Sequence, residues 1–308
     1  MVGPRSDAMS YSFKSSDADV AAGLRRIAGE QLDTALAALE IGRGTDDDMH
    51  ERIHTARKSA KKVRGLLRLV RPAFPDYKAE NRAFRDAARV LSPMRDLTAR
   101  IESYDWLTER YSDALDRRRT GPFRAELTRD RTTAEGGNEI TDRMMTMADA
   151  VRAIRQRVDD WTLAEKDWDA LGPGMAKTYD RARGAMAVAA DTGAADDMHD
   201  WRKRVKYHWY HARLLKKTWP VMMDAHRDAA DTLSELLGDE HDLVELDKRL
   251  GRATIADDIA QQLRGIIVDE RKRLGSLAFS QGAFLLAEKP KPLVKRWGTW
   301  WGLWREGA

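Results

Sequence analysis

The sequence contains no cysteine, which excludes disulfides, thiolate metal sites and thiol nucleophiles. No apolar run approaches the about 20 residues that a membrane-spanning helix needs. The least charged stretch, residues 277–287, is too short. The opening MVGPRSDAMSYSF has no apolar centre of the secretory kind, so a cytoplasmic protein without membrane contact is expected. Alternation of apolar and polar residues never persists, which argues against strands. There is no GxxxxGK phosphate loop and no set of three metal ligands at helical spacing. Neither metal nor cofactor is expected, and no complete catalytic constellation is visible.

What is present is charge. The chain has 308 residues, of which 34% are charged and 42% hydrophobic, enough for two ordinary domains or one repeated one. The net charge is only +4, but it is unevenly spread. Residues 50–71 hold eight Lys or Arg against one acid, and residues 199–217 hold seven against one. These windows carry +7 and +6, so the remainder is −9. An acidic protein with two concentrated basic inserts points to a built anion site rather than diffuse attraction.

Helical periodicity covers the chain. Val20, Leu24, Ile27, Leu32, Leu36 and Leu39 predict a helix over 17–39, capped by Ser15 or Ser16. Gly42 and Gly44 interrupt the pattern, and Asp46, Asp47 and Asp48 suit the start of a second helix that Pro72 and Pro75 stop. Further helices are expected over 77–91, from 95 onward and over 140–167, with a short helix and connection over 120–138 around Gly136-Gly137. Gly172-Pro173-Gly174 reads as a break. Helices then follow over 175–190, 195–219, 221–237, 239–250 and 255–274, with two short ones at the end.

The chain also repeats itself. IHTARKSAKKVRGLLRLVRPAFP from Ile53 aligns without a gap to MHDWRKRVKYHWYHARLLKKTWP from Met198. Downstream, RDAARVLS from Arg85 resembles RDAADTLS from Arg227, and MRDL around Arg95 matches EHDL around His241. The simplest reading is two similar helical bundles related by approximate twofold pseudosymmetry, with both basic helices facing one groove.

Residues three, four and seven apart share a helix face. His54, Arg57, Lys58, Lys61, Arg64 and Arg68 satisfy this spacing, with His50 one turn earlier. The second series is His199, Arg202, Lys203, Lys206, Tyr210, Arg213 and Lys217. Each face runs roughly 25 Å at 1.5 Å per residue. Like charges stacked this way repel one another unless an anion lies across them. Arg offers a planar fork for phosphate, Lys a mobile point charge, and His a short donor. A ligand of repeating negative charge fits such a line better than one small anion. The plain alternative is a pair of solvated faces, but repetition in one register against an acidic chain weighs against it. His208 and His211 have no counterparts in the first copy and read equally as packing or rim. The Trp297, Trp300, Trp301 and Trp304 series reads as core rather than membrane or base contact.

The paired motif resembles the CHAD family, the conserved histidine alpha-helical domain. HTARKSAKKVRGLLRLV from His54 and HDWRKRVKYHWYHARLL from His199 carry the resemblance, with LLGDEHDLVEL from Leu236 and the lead-in SYSFKSSDADVAAGLRRIAGEQLDTAL from Ser10. It implies one stand-alone CHAD domain over 10–308, with repeats over about 15–135 and about 138–308. The implied fold is all-α, two similar antiparallel four-helix bundles with pseudo-twofold symmetry. It also implies binding of inorganic polyphosphate around a central basic cleft, and association with polyphosphate granules in some members. His54, Arg57, Lys61, Arg64, His199, Arg202 and Lys206 carry over as ligands. Arg25 and Arg26 on the first helix are further candidates to line the cleft. Tyr207 and Trp209 depart from the family's usual basic residues, leaving Arg213 and Lys217 to compensate. The alternatives are nucleic-acid binding, docking onto an acidic protein, and phosphoryl-processing chemistry. The first lacks a reader motif, and the last lacks a positioned metal, base or nucleophile.

Overall fold

A computed structural model describes residues 11–40, 46–135 and 139–307. The described residues form eleven helices and no strand. Gly42, Gly44, Gly136 and Gly137, expected to interrupt helices, lie outside the described residues, as does the start of the lead-in at Ser10.

α1 (Val20–Leu39) is capped by Asp19, whose carboxylate accepts from the Ala22 amide, rather than by Ser15 or Ser16. It buries Leu24, Ile27 and Leu32. α2 (Asp46–Val70) carries the first basic series and buries Val63, Leu66, Leu67 and Val70 on its other side. α3 (Tyr77–Val90) and α4 (Ser92–Arg110) meet at Leu91, with Pro93 in the first turn of α4, where a missing amide costs little. α5 (Arg117–Glu135) is a full helix where only a short one was expected. α6 (Glu139–Val158) packs on α1 and α3.

Two expected interruptions are absent. α7 (Asp167–Thr192) runs through Gly172-Pro173-Gly174. Gly174 is buried where α7 crosses α2, and a Cβ there would overlap the Leu69 carbonyl. The glycine therefore serves close approach of two helix backbones, not chain reversal. After α8 (Ala195–Leu214), α9 (Pro220–Leu250) continues through Gly238 as one helix of 31 residues. α10 (Asp257–Leu285) is likewise continuous, and α11 (Pro290–Glu306) closes the chain on Trp297 and Trp301, both buried.

α1, α2, α3 and α6 pack round one centre, and α7, α8, α9 and α10 pack in succession. The two sets share a single apolar core, because α2 packs directly on α7 and α8. A second core joins α4 and α5 to the far half of α9 and the near half of α10, through Leu107, Phe123, Leu243 and Leu263.

α2 and α8 cross where Tyr210 lies on Gly65. At Gly65 a Cβ would stand 2.8 Å from that of Tyr210. His211 donates from Nε2 to the Gly65 carbonyl at 3.1 Å. The lead-in braces this point: the Tyr11 hydroxyl donates to the Lys62 carbonyl, and the Phe13 amide donates to the Leu214 carbonyl.

Beside the crossing, the ring nitrogens of His208 and His226 lie 2.7 Å apart, a contact that requires at least one unprotonated ring. Burial holds His208 well below the usual histidine range and takes His211 to about 3 and His226 to about 4. The unfolded chain therefore takes up protons before the folded one. The stability that these neutral rings contribute is full above about pH 6.5 and is lost as pH falls through about 4. The melting midpoint is expected to fall by roughly 5–10 °C between pH 7.5 and pH 5. A flat midpoint over that range would show that these rings are not buried neutral.

Candidate functional site

The first basic series divides at the helix crossing. His50 faces α4, with Nδ1 3.4 Å from the Thr98 hydroxyl. His54, Lys58 and Lys61 are exposed, whereas Arg57 is only 8% exposed. Asp96 on α4 lies within electrostatic reach of Arg57, Arg100 and Lys61. Crowding by protein pushes its carboxyl up, and those cations pull it back. Beyond the crossing, Arg68 donates to Asn81 Oδ1 at 2.9 Å, and Arg64 approaches the same oxygen at 3.4 Å. The Arg68 guanidinium also lies 3.8 Å over the Tyr207 ring. The positive surface continues to Arg71, which shares its surroundings with Lys177 and Arg181 of α7.

The second series lies along α9. His199 stacks on His241 with centroids 3.8 Å apart. Burial first, then Lys203 and Arg202, hold His199 at about 4. Burial, His199 and Arg202 do the same for His241. Both rings are therefore neutral at pH 7, so they offer hydrogen bonds rather than charge. Arg202 lies against Gly238, with Nη1 4.0 Å from Asp242. Lys203 pairs with Asp200 at 3.3 Å. The Lys206 ammonium is 3.4 Å from Asp231 and 3.7 Å above the Trp209 ring. Arg213 also lies over Trp209, at 4.9 Å. Lys217 is exposed beyond the end of α8.

These two clusters are joined through α4 and α9, whose Arg100 and Glu245 approach to 3.9 Å. Charged and polar side chains thus run from Lys61 and Arg57 through Asp96, Arg100 and Glu245 to His241, His199 and Arg202. Each basic helix places its matched-register Arg, Arg57 or Arg202, near the Asp of the matching downstream element, Asp96 or Asp242. Arg100 and Asp231 are absent from the residues expected from sequence. The only signal for Arg100 is its position one turn after Asp96, and Asp231 shows only when RDAAD is set against RDAAR.

Three expected contacts fall elsewhere. Tyr210 is 3% exposed and packs edge-on against Tyr11, so it belongs to the core at the crossing. Arg26 is clamped by Asp17 at 2.7 and 2.8 Å, approaches Glu30 at 3.1 Å and donates to the Ser12 carbonyl. Its charge is thereby matched within the N-terminal region. Arg25 donates to the Trp161 carbonyl at 2.8 Å, which ties α1 to the segment after α6. His208 and His211 are fully buried packing residues.

No helix among the described residues is long and apolar enough to cross a membrane. The sequence model of the CHAD domain family matches residues 26–251. Among solved structures, PptA from Streptomyces chartreusis superposes with a TM-score of 0.60 at 19% identity, covering 84% of this chain and 97% of that one. At that identity the likeness is one of fold. No curated protein matches the sequence.

Proposed function

The chain belongs to the CHAD domain family, and from that premise we propose that it binds linear inorganic polyphosphate along its two basic helices without cleaving it. The observation that carries this reading is the crossing of α2 and α8. His54 and His199, Arg57 and Arg202, and Lys61 and Lys206 are each 145 positions apart, and so are Gly65 and Tyr210, which touch. A contact between equivalent residues is what a local twofold axis between the two helices requires, and it supports the reading of internal duplication into two related helical bundles. One extended anion can then meet both basic series. On the family resemblance, the reading extends to a cytoplasmic protein associated with polyphosphate granules.

Arg57, Lys58, Lys61, Arg64 and Arg68 on one helix, and Arg202, Lys203, Lys206, Arg213 and Lys217 on the other, supply point charges and guanidinium forks. His50, His54 and His199 add short donors. Binding would draw on many weak contacts and on release of condensed counterions, as it does for other linear polyanions. Clamping a phosphate requires only these groups, whereas cleaving one requires a base or metal positioned for in-line attack.

Calorimetric titration with polyphosphates of defined length, at two salt concentrations, tests the proposal. Affinity is expected to rise with chain length until both series are spanned. It should fall by roughly 1000-fold or more between 50 and 200 mM salt. Duplex DNA and tripolyphosphate are expected to compete poorly. Equal affinity for every polyanion would return the basic helices to the status of a generic charged surface.

A further inference from the structure

The two basic helices match in sequence register, but their surroundings differ in charge. In the first repeat, RDAARVLSP places Arg89 and Pro93 on the strip that follows the basic helix. In the second, RDAADTLSE places Asp231 and Glu235 at the aligned positions. That strip is three charge units more negative in the second repeat. Asp231, Glu235, Asp239 and Asp242 recur at intervals of four, four and three, so they line one face of α9.

This acidic face meets the basic face of α8. The Lys206 ammonium lies between the Trp209 ring, at 3.7 Å, and the Asp231 carboxylate, at 3.4 Å. Glu235 acts on Lys206 through space in the same sense. Arg202 has Asp242 at 4.0 Å. The carboxylates also repel one another: burial first, then Asp242 and Glu235, push the Asp239 carboxyl up to about 6. Both partners of the Lys206–Asp231 pair remain about a third exposed. A pair this accessible contributes little to stability, and an incoming anion can reach it.

We infer that Asp231 is a built-in competitor for the anion site of α8: its carboxylate holds Lys206 in the empty protein and must be given up before Lys206 can turn to a phosphate oxygen. The inference rests on the polyanion reading above and deepens it. The second helix then binds its share of the ligand more weakly than its cation content implies. Once the ligand is seated, Asp231 faces it as a like charge. Asp231 is thus an affinity-setting residue beside the contact surface, not a ligand.

Calorimetric titration of a long polyphosphate into the full-length wild type and the D231N, D231E, K206Q and K206Q/D231N variants tests this. Asp231→Asn is expected to tighten binding by about 3- to 10-fold. It should also steepen the logarithmic salt dependence by about one contact. Asp231→Glu, which keeps the competitor, is expected to bind as the wild type does. In the Lys206→Gln background the gain from Asp231→Asn should shrink to the smaller part that comes from like-charge repulsion of the ligand, because no ammonium remains to be released. An equal gain in both backgrounds would overturn the competition, leaving only a long-range field effect. A lower melting midpoint for Asp231→Asn with unchanged affinity would overturn it in favour of a merely structural pair. If neither the wild type nor D231N binds, the polyphosphate reading itself fails, and this inference with it. Binding by the wild type with no gain in D231N removes this inference alone.

Discussion

A variant with Arg57→Gln and with Lys61, Arg202 and Lys206 each replaced by Ala is expected to lose polyphosphate affinity by roughly 100- to 1000-fold while remaining helical. Each lost cation removes about 0.7–1 kcal/mol of favourable contact, and four together give about 3–4 kcal/mol, or two to three powers of ten. Glutamine replaces Arg57 because that side chain is 8% exposed beside Asp96. Alanine there would open a hole in the packing as well as removing a charge. Lys61 is exposed, and Arg202 and Lys206 are partly so. Their truncation therefore removes little packing, and circular dichroism at the helical minimum should match that of the wild type. The logarithmic salt slope should also flatten by roughly three contacts. A folded variant that binds with wild-type affinity would exclude the proposed site. A folded variant that loses affinity without a change in slope would point to altered shape rather than lost phosphate contacts.

The helices and the two basic series are legible in the sequence because each is a property of one segment. Apolar residues three and four apart mark α1 and α6, and the matched His-x-x-Arg registers mark α2 and α8. Joints are harder to read. Gly238 and Gly172-Pro173-Gly174 carry the local chemistry of breaks, yet each lies inside a helix where another element comes close. At such positions the absence of a side chain accommodates a neighbour that local sequence does not name.

The same limit governs the site. Helical spacing places Tyr210 on the basic face, but α2 covers that position through Gly65, and the ring becomes core. Arg26 has its charge matched by Asp17, nine residues away across the entry to α1. Spacing along one helix records which residues share a face. It does not record which part of that face another helix covers, or which cations meet an internal carboxylate. The sequence offers only faint signals for Asp231 and Arg100, and their part in the site becomes visible once α9 and α4 are laid beside the basic helices.

Gly174→Ala is expected to be strongly destabilising, although alanine is the better helix former. On α7 the new Cβ would overlap the Leu69 carbonyl oxygen, standing 2.6 Å from the Leu69 carbonyl carbon and 2.7 Å from the Arg68 oxygen. These are backbone atoms of α2, so no rotamer change relieves the contact, and one helix must move. Overpacking usually costs about 1–3 kcal/mol, and the absence of any yielding side chain places this case at or above the upper end. A melting midpoint lower by roughly 4–7 °C follows. Gly184 supplies the control, since it lies on the same helix and a Cβ there meets nothing within 4 Å. Gly184→Ala should therefore raise stability by up to about 1 kcal/mol, the difference in helix propensity. Opposite signs for one substitution at two sites ten residues apart would locate the cost in the α2–α7 contact. Because Arg68 sits at that contact and heads the far end of the first basic series, Gly174→Ala should also weaken polyphosphate binding at temperatures where the chain is still folded. A variant as stable as Gly184→Ala would mean that α7 does not lie on the α2 backbone, and the placement of the first basic helix would fall with it.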